Sequence, residues 1–282
     1  MLTVSVIVTT YNSPRALGLV LAGLSRQTYA PYEVIIADDG SGPETRALID
    51  AWAPRWPFGP LRHVWQPDEG FRKCTILNRA IAAARGTYLM FFDGDCVAPA
   101  HCLAAHVARA ERNRFVCGGK VMLSARFTAA LTEAAVLRGD LERFGWWWFE
   151  VGRPRRLFAG RIPLLRDLLD RNLKGPLSWR GENSSTFADH VRAVCGFDER
   201  FTYGFEDADF GHRLRAAGIA PRSLRYTAPV YHLDHARPWR TDAVVAANKA
   251  LYDANRALRM TATPYGLPPA AGAAAAHGGS ST

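Results

Sequence analysis

The feature that most constrains the fold is an apolar run that ends in two carboxylates, at residues 88–96. Five consecutive apolar or aromatic residues before Asp93 are typical of a strand covered on both faces, as in a parallel α/β sheet. Gly94 permits a tight turn that brings Asp93 and Asp95 to one place. Two such oxygen ligands suit a divalent metal and a phosphate-bearing substrate. Asp-Gly is also a very common turn dipeptide, and a simple strand cap is the alternative interpretation.

Two earlier segments show the same pattern of a buried strand with a polar end. Residues 4–9 are rich in β-branched residues, and Ser13 with Pro14 then indicates the start of a helix. A second strand is predicted at 32–37, and strand, helix and strand together indicate a right-handed βαβ unit. Carboxyl ends of parallel strands meet at one edge of a sheet, where ligands bind. The sequence therefore predicts an α/β fold with a ligand site lined by Thr9, Tyr11, Asp38, Asp39, Asp93 and Asp95.

Composition narrows the class of protein further. A chain of 282 residues with 48% hydrophobic content can form one large α/β domain or two smaller ones. It has neither a spanning apolar run nor signal-peptide features at its first residues, so we expect a cytoplasmic protein. Five cysteines without Cys-x-x-Cys spacing favour reduced thiols over disulfides or a zinc site. The net charge of +9 predicts attraction to anions, whether phosphates, acidic lipids or nucleic acid.

Residues 138–180 differ in character from the rest of the chain. They contain ten basic and five acidic residues, together with three consecutive tryptophans at 146–148. Such a segment suits an anionic membrane surface or a polyanionic substrate. An irregular lid whose aromatic residues pack on the main domain is the alternative. Residues 115–123 before this segment are predicted to form one strand, and the low-complexity tail from residue 263 is predicted to be disordered.

A second group of candidate functional residues lies near position 206. Glu206, Asp207 and Asp209 place three acids within four residues, at the predicted start of a helix. Carboxylates there can serve only as partners of the helix dipole, but this clustering also favours a general base held in a partly desolvated pocket. His232 and His235 follow a short predicted strand. One of these imidazoles could complete a metal site with Asp95, and a packing role is about equally expected.

Taken in order, several of these segments resemble the GT-A-fold family 2 inverting glycosyltransferases. The resemblance rests on residues 4–12, 27–28, 38–41 and 93–95. The second half looks like the C-terminal region shared by β-1,4-galactosyltransferases and bacterial chondroitin-type polymerases, at residues 181–185, 196–201, 206–207 and 212–214. Tyr203-Gly204-Phe205 stands where the galactosyltransferases often have Trp-Gly-Gly.

The resemblance implies one Rossmann-like GT-A domain with an inserted segment. Its expected parts are a nucleotide-sugar-binding half at 1–124, a basic aromatic insertion or lid at 125–175, an acceptor and catalytic half at 176–240, a C-terminal helix at 241–262 and a disordered tail at 263–282. On the donor side, the resemblance implies that Thr9, Tyr11 and Asp39 bind the uracil and that Asp93 contacts the ribose or the metal. Asp95 and His232 are implied to bind Mn²⁺ or Mg²⁺, and His235 competes with His232 for this role. On the acceptor side, Asp207 is implied to be the catalytic base and Glu206 to orient the acceptor.

The implied activity is metal-dependent, inverting transfer of a hexose or N-acetylhexosamine from a UDP-sugar to a hydroxyl of a glycan or glycolipid, in cell-surface polysaccharide synthesis. We expect peripheral contact with the inner face of an anionic membrane and no nucleic-acid partner. One alternative is a nucleotidyltransferase, but residues 9–14 lack the glycine-rich, basic phosphate loop usual in that class. The other is a non-enzymatic module that binds polyanions or membranes through residues 138–180.

Overall fold

The computed structural model of the chain describes residues 2–143, 163–172 and 177–268. The first half contains β1 (Val4–Thr10), α1 (Pro14–Leu24), β2 (Glu33–Asp38), α2 (Pro43–Trp52), β3 (Leu61–Trp65), α3 (Lys73–Ala83), β4 (Tyr88–Asp93) and β5 (Cys96–Val97). The remainder contains α4 (Cys102–Ala108), β6 (Arg114–Gly118), β7 (Lys120–Met122), α5 (Ala125–Ala130), α6 (Glu133–Leu137), α7 (Pro163–Asn172), β8 (Ser184–Phe187), α8 (Ala188–Ala193), α9 (Glu206–Ala216), β9 (Ala220–Leu224), β10 (Val230–His232) and α10 (Asp242–Ala257).

Seven strands form the central sheet, in the order β3-β2-β1-β4-β8-β6-β9. Every neighbouring pair is parallel except the two that involve β8. Thr9 lies opposite Asp93 and Thr10 opposite Asp38, so the polar strand ends are adjacent. The mostly parallel α/β sheet expected from the sequence is confirmed, and strands from both halves of the chain share it.

Helices cover both faces of this sheet because side chains alternate along each strand. Val6, Val8 and Met90 pack with α1 and α2 on one face. Ile7 and Phe91 pack with α3 and α9 on the other. All five cysteines lie in the interior as free thiols, as the sequence predicts. Within the described residues, no helix combines the length and apolar character needed to cross a bilayer.

The single strand predicted at 115–123 is instead two strands, β6 and β7, in two different sheets. β6 joins the central sheet, whereas β7 joins a small three-stranded sheet in the order β5-β10-β7. Asn183 accounts for the division. Its backbone oxygen accepts from Gly118 N at 2.7 Å, and its side-chain Nδ2 donates to the oxygens of Gly119 and Ala228 at 2.9 and 2.8 Å. These bonds satisfy the backbone where the chain leaves one sheet for the other.

The C-terminal segment is ordered further than the sequence indicates. Thr263 Oγ1 donates to Asp198 at 2.9 Å, and Leu267 N donates to the oxygen of Cys195 at 2.8 Å. Residues 263–268 therefore belong to the folded domain, because they supply partners for polar groups that would otherwise be buried unpaired. The rest of the predicted tail, 269–282, lies outside the described residues.

Within the inserted segment at 125–175, the structure describes residues 125–143, with α5 and α6, and residues 163–172, which form α7. Asp170 on this helix accepts hydrogen bonds from Ser223 Oγ at 2.9 Å and from the backbone N–H groups of Tyr226 and Thr227 at 3.0 and 2.8 Å. These bonds attach α7 to β9 and to the loop between β9 and β10. The tryptophan-rich stretch at 146–148 lies outside the described residues, so the membrane contact assigned to it stays a prediction.

The buried side chain of His106 connects α4 to β8 and to the residue before it, Asn183. Because Asn183 Nδ2 donates to two carbonyl groups, its Oδ1 must accept from His106 Nε2, at 2.9 Å. His106 Nδ1 then accepts from Ser185 Oγ at 2.7 Å, which fixes the neutral imidazole. Burial lowers the pKa of His106 from its ordinary 6.5 to about 4.

We expect this imidazole to make folding sensitive to acid. A depressed folded-state pKa contributes stability that is complete above pH 6.5 and is lost as pH falls from 6.5 towards 4. The difference corresponds to about 3 kcal/mol, at about 1.36 kcal/mol per pH unit. Urea unfolding of the natural protein and of His106→Gln at several pH values measures it. The variant should lose less stability across this window, and parallel pH curves for the two proteins would contradict the assignment.

Candidate active site

The carboxyl ends of β1, β2 and β4 open into a cleft of about 1030 Å³. Residues of the second half, from α9 and from the segment after β10, form its opposite wall. The structure brings all of the candidate site residues named from the sequence to this cleft, except Asp38 and Asp209. Those lining it are Thr9, Tyr11, Asp39, Asp93, Asp95, Glu206, Asp207, His232 and His235.

The turn after β4 is held close to β1. Thr9 Oγ1 donates to Asp93 Oδ1 at 3.0 Å. A Cβ on Gly94 would lie 2.4 Å from the backbone oxygen of Thr9, so only glycine permits this approach. The turn therefore delivers Asp93 and Asp95 to the cleft as the sequence predicts.

The two adjacent aspartates after β2 have different roles. Asp38 is fully buried and pairs with His63 Nε2 at 2.9 Å, which makes it part of the framework. Asp39 lines the cleft and accepts from Gln66 Nε2 at 2.6 Å and from Arg72 N at 2.8 Å. Burial raises the pKa of Asp39 in spite of these bonds.

Asp95, His232 and His235 form one cluster. β10 pairs antiparallel with β5, which sets His232 opposite Cys96, and Leu233 N donates to the backbone oxygen of Asp95 at 2.9 Å. One potential ligand atom from each of the three residues lies within 4.8 Å of the others. His235 Nε2 is 2.8 Å from Asp95 Oδ2, and His232 Nε2 is 3.8 Å from Asp95 Oδ1.

The donor set of this cluster fits a divalent cation. Each imidazole directs Nδ1 to a backbone oxygen at 2.7 Å, that of Leu233 for His232 and that of Ala236 for His235. A protonated Nδ1 leaves Nε2 on each ring for a metal. Burial raises the pKa of Asp95, but the His235 hydrogen bond and the neighbouring His232 outweigh it and lower the pKa to about 2. One carboxylate and two imidazole nitrogens suit Mn²⁺ among other divalent metals.

The carboxylates at the start of α9 are aimed into the cleft by an unusual backbone. Gly204 and Phe205 both have positive φ, at +95° and +68°. Phe205 therefore carries a left-handed conformation that costs a bulky residue about 1–3 kcal/mol. Asp209, by contrast, is fully buried in an ion pair with Arg213 at 2.8 Å and faces the interior.

Asp207 is the carboxylate best prepared to accept a proton. Its Oδ2 accepts from Gly181 N at 2.8 Å, whereas its Oδ1 is buried with no partner among the described residues. Burial raises the pKa of Asp207 to about 8; Lys73 opposes the rise and Glu206 reinforces it. Burial also raises the pKa of Glu206. A general base works best when its pKa lies near the operating pH, and Asp207 meets that condition.

Several cleft residues have no clear signal in the sequence. Lys73 Nζ lies 2.8 Å from Asp93 Oδ1, and Lys120 Nζ lies 3.1 Å from Glu182 Oε1. Lysine at the first residue of α3 opposes the helix dipole, and this is the one sequence feature that points to Lys73. Lys120 and Glu182 meet only through the tertiary fold.

Four aromatic side chains from separate segments meet at the mouth of the cleft, and we call them the aromatic rim. Tyr11 and Phe71 each contact Trp239, with ring centroids 6.1 and 6.2 Å apart. Phe71 also contacts Tyr203 at 5.6 Å. Trp239 is 38% exposed although it is large and apolar. Exposed apolar surface rimmed by polar groups is typical of a binding site.

Comparisons with known proteins agree with this arrangement. Residues 5–130 match the family model described as "Glycosyl transferase family 2". The uncharacterized glycosyltransferase YfnE of Bacillus subtilis is 30% identical over 87% of this chain and 68% of its own length. Validoxylamine A glucosyltransferase of Streptomyces hygroscopicus subsp. limoneus is 32% identical over 76% of this chain, which spans about half of that protein, 48%.

A solved structure shows the same fold. The mannosyltransferase PcManGT from Pyrobaculum calidifontis, in complex with GDP-Man and Mn²⁺, aligns with a TM-score of 0.60 at 20% identity. The alignment covers 93% of this chain and 66% of that one. At this identity the likeness concerns the fold alone. The chain is thus a glycosyltransferase that has the GT-A fold and belongs to glycosyl transferase family 2.

Proposed function

We propose that the enzyme transfers a hexose or N-acetylhexosamine from a UDP-sugar to a hydroxyl of a glycan or glycolipid, with inversion, in cell-surface polysaccharide synthesis. One observation carries the proposal. A single cleft contains the nucleotide-side carboxylates, a carboxylate and imidazole cluster that fits a metal, and Asp207, whose buried Oδ1 has no partner in the part of the chain that the structure describes.

The donor is assigned to the edge of the sheet formed by β1, β2 and β4. Thr9, Tyr11 and Asp39 hold the uracil in this proposal, and Asp93 contacts the ribose. The cluster of Asp95, His232 and His235, which fits a metal ion, supports a diphosphate between Asp93 and Asp95. The presence of both a nucleotide sugar and Mn²⁺ in PcManGT supports it as well. Residues 1–124 then form the donor half of the domain.

Asp95, His232 and His235 would hold the metal. A bound Mn²⁺ or Mg²⁺ would stabilise the negative charge that develops on the departing UDP. The protein's own contribution is to hold Asp95 and His232 close together through the β5–β10 ladder and to set the tautomers of His232 and His235 by backbone hydrogen bonds.

Asp207 is the proposed base. Its Oδ1 takes the proton from the acceptor hydroxyl while that oxygen forms a bond to C1 of the sugar and the bond between C1 and the diphosphate oxygen breaks. Attack from the face opposite UDP inverts C1. Glu206 orients the acceptor, which makes 176–240 the acceptor and catalytic half. General-base assistance contributes about 10²- to 10⁴-fold to such steps.

The aromatic rim supports a sugar as the acceptor. Flat apolar rings offer a large surface to a pyranose face at little cost in conformational entropy. Tyr203 lies three residues before Glu206, so a sugar held on this rim would lie beside the proposed base. The basic, tryptophan-rich segment at 138–180 is the part to which we assign contact with an anionic membrane and a lipid-linked acceptor.

A donor screen tests the proposal. UDP-glucose, UDP-galactose, UDP-GlcNAc and UDP-GalNAc are each compared with GDP-mannose for Mn²⁺-dependent hydrolysis and thermal stabilisation. We expect one UDP-sugar to release UDP and to stabilise the protein, by about 2.7 kcal/mol at a concentration 100 times its Kd. Stabilisation by GDP-mannose alone would contradict the uracil assignment. Release of pyrophosphate with a nucleotidyl-linked product would favour a nucleotidyltransferase instead.

A further inference from the structure

Lys73 occupies a position between the two groups of cleft carboxylates. It is the first residue of α3, in the donor half, and its side chain is 15% exposed. Its Nζ lies 2.8 Å from Asp93 Oδ1 and 3.8 Å from Glu206 Oε1, across the cleft. A single ammonium group thus connects the end of β4 to the start of α9.

Asp207 also lies near this ammonium group, on the other side of Gly181. Gly181 separates the two side chains, and a Cβ placed on it would lie 2.9 Å from Asp207 Oδ1 and 3.3 Å from Lys73 Nζ. Both atoms therefore border the same small space above Gly181. A side chain at this position would crowd both atoms, and glycine leaves them room.

The charges around Asp207 are unbalanced without Lys73. Asp93 faces it from β4, Glu206 from its own helix, and Glu182 from the segment before β8. Glu182 has its own cations, since Lys120 and Arg180 lie 3.1 and 3.6 Å from it. The thiol of Cys74, next to Lys73, is kept neutral because burial raises its pKa well above its usual value. Among the cations of the described residues, Lys73 acts most directly on Asp207.

We propose that Lys73 is the positioning residue that increases the ionised fraction of Asp207, the form that accepts the proton in the transfer reaction. This inference rests on the proposed function of Asp207 as the base. Burying a lysine at a helix start is costly, both from desolvation and from the helix dipole, and three carboxylates repay that cost here. Burial lowers the pKa of Lys73, but Asp93, Asp207 and Glu206 outweigh it and raise the pKa well above its usual value, so the side chain stays charged.

The charge of Lys73 affects the pH range in which Asp207 can accept a proton. With Lys73 in place, burial raises the pKa of Asp207 only to about 8. Loss of an opposite charge at such a distance raises a carboxyl pKa by about 1–3 units. A still smaller fraction of Asp207 would then be ionised at any neutral pH.

The test compares Lys73→Met with Lys73→Arg, which retains the charge. Carboxyl ¹³C NMR follows the titration of Asp207, assigned through Asp207→Asn, with Mg²⁺ rather than paramagnetic Mn²⁺. We expect the midpoint to rise by at least about one pH unit in Lys73→Met and to change much less in Lys73→Arg. The acid limb of kcat/KM for donor turnover should move by the same amount, so the loss is about tenfold or more at pH 7 and smaller at pH 9.

A folded Lys73→Met protein with an unchanged Asp207 midpoint would overturn the proposal, as would an activity loss equal at every pH. Thermal melting establishes folding, and Lys73→Gln provides a second neutral variant if Lys73→Met does not fold. The NMR titration needs no turnover. A protein that hydrolyses no UDP-sugar would therefore contradict the proposed function, whereas the midpoint would still decide the role of Lys73.

Discussion

Asp207→Asn is expected to lower kcat for sugar transfer by about 10²- to 10⁴-fold, because the amide cannot take the acceptor proton. Donor affinity should change little, since Asp207 lies on the wall opposite the nucleotide edge. The asparagine Oδ1 can still accept from Gly181 N, so the helix start keeps its hydrogen bond. The measurement is transfer from the UDP-sugar found in the donor screen to a verified acceptor, together with UDP binding by calorimetry.

Two further variants make this result decisive. Asp253→Asn removes an exposed carboxylate on α10 that pairs with Lys249 at 2.6 Å, and it should leave transfer unchanged. Glu206→Gln should raise the KM for the acceptor more than it lowers kcat, because Glu206 orients rather than deprotonates. Turnover near that of the natural protein in Asp207→Asn would remove Asp207 as the base. A larger kcat loss in Glu206→Gln would move that role to Glu206.

Asp95→Ala is expected to weaken Mn²⁺ binding by at least about 100-fold and to abolish stimulation of turnover by the metal. Asp95 supplies the oxygen of the cluster, and its side chain lies within reach of both imidazoles. Electron paramagnetic resonance of free Mn²⁺ measures the binding directly, without requiring turnover. EDTA should reproduce the effect on the natural protein.

Single variants distinguish the contributions of His232 and His235 to Mn²⁺ binding. His232→Ala and His235→Ala should each raise the Mn²⁺ concentration needed for half-maximal binding, with the larger effect identifying the stronger ligand. His101→Ala is the matched control, since its Nε2 contacts the backbone oxygen of Thr227 at 2.9 Å away from the cluster. Unchanged Mn²⁺ affinity in Asp95→Ala would show that the cluster does not hold the metal.

Much of the fold follows from local sequence patterns. The β-branched run at 4–9 and the aromatic run before Asp93 each identify a buried strand, and a parallel sheet then requires their polar ends to converge. The sequence also predicts that Glu206 and Asp207 lie at a helix start. Phe210 and Leu214 mark the apolar face of that helix, and Gly218 marks its end. These features depend on residues close together in the chain.

Other features depend on contacts between distant residues, which no periodicity reveals. Asp38 and Asp39 are identical side chains, and partners such as His63 and Gln66 distinguish the framework residue from the one that faces the cleft. The division of 115–123 into two strands depends on Asn183, far along the chain. Lys73 acquires its carboxylate partners only when the two halves meet.

The antiparallel pairing of β5 with β10 limits how far this enzyme can be cut down. The segment matched by the family model ends at residue 130, and so it includes Asp95 and β5 but not Asp207 or His232. A fragment of that length would retain the nucleotide edge, lack the imidazoles and the base, and expose the edge of β5 as an unpaired strand. On the proposed roles, the segment that matches the family model is therefore not a minimal transferase, and that unit must extend at least through β10 to residue 235.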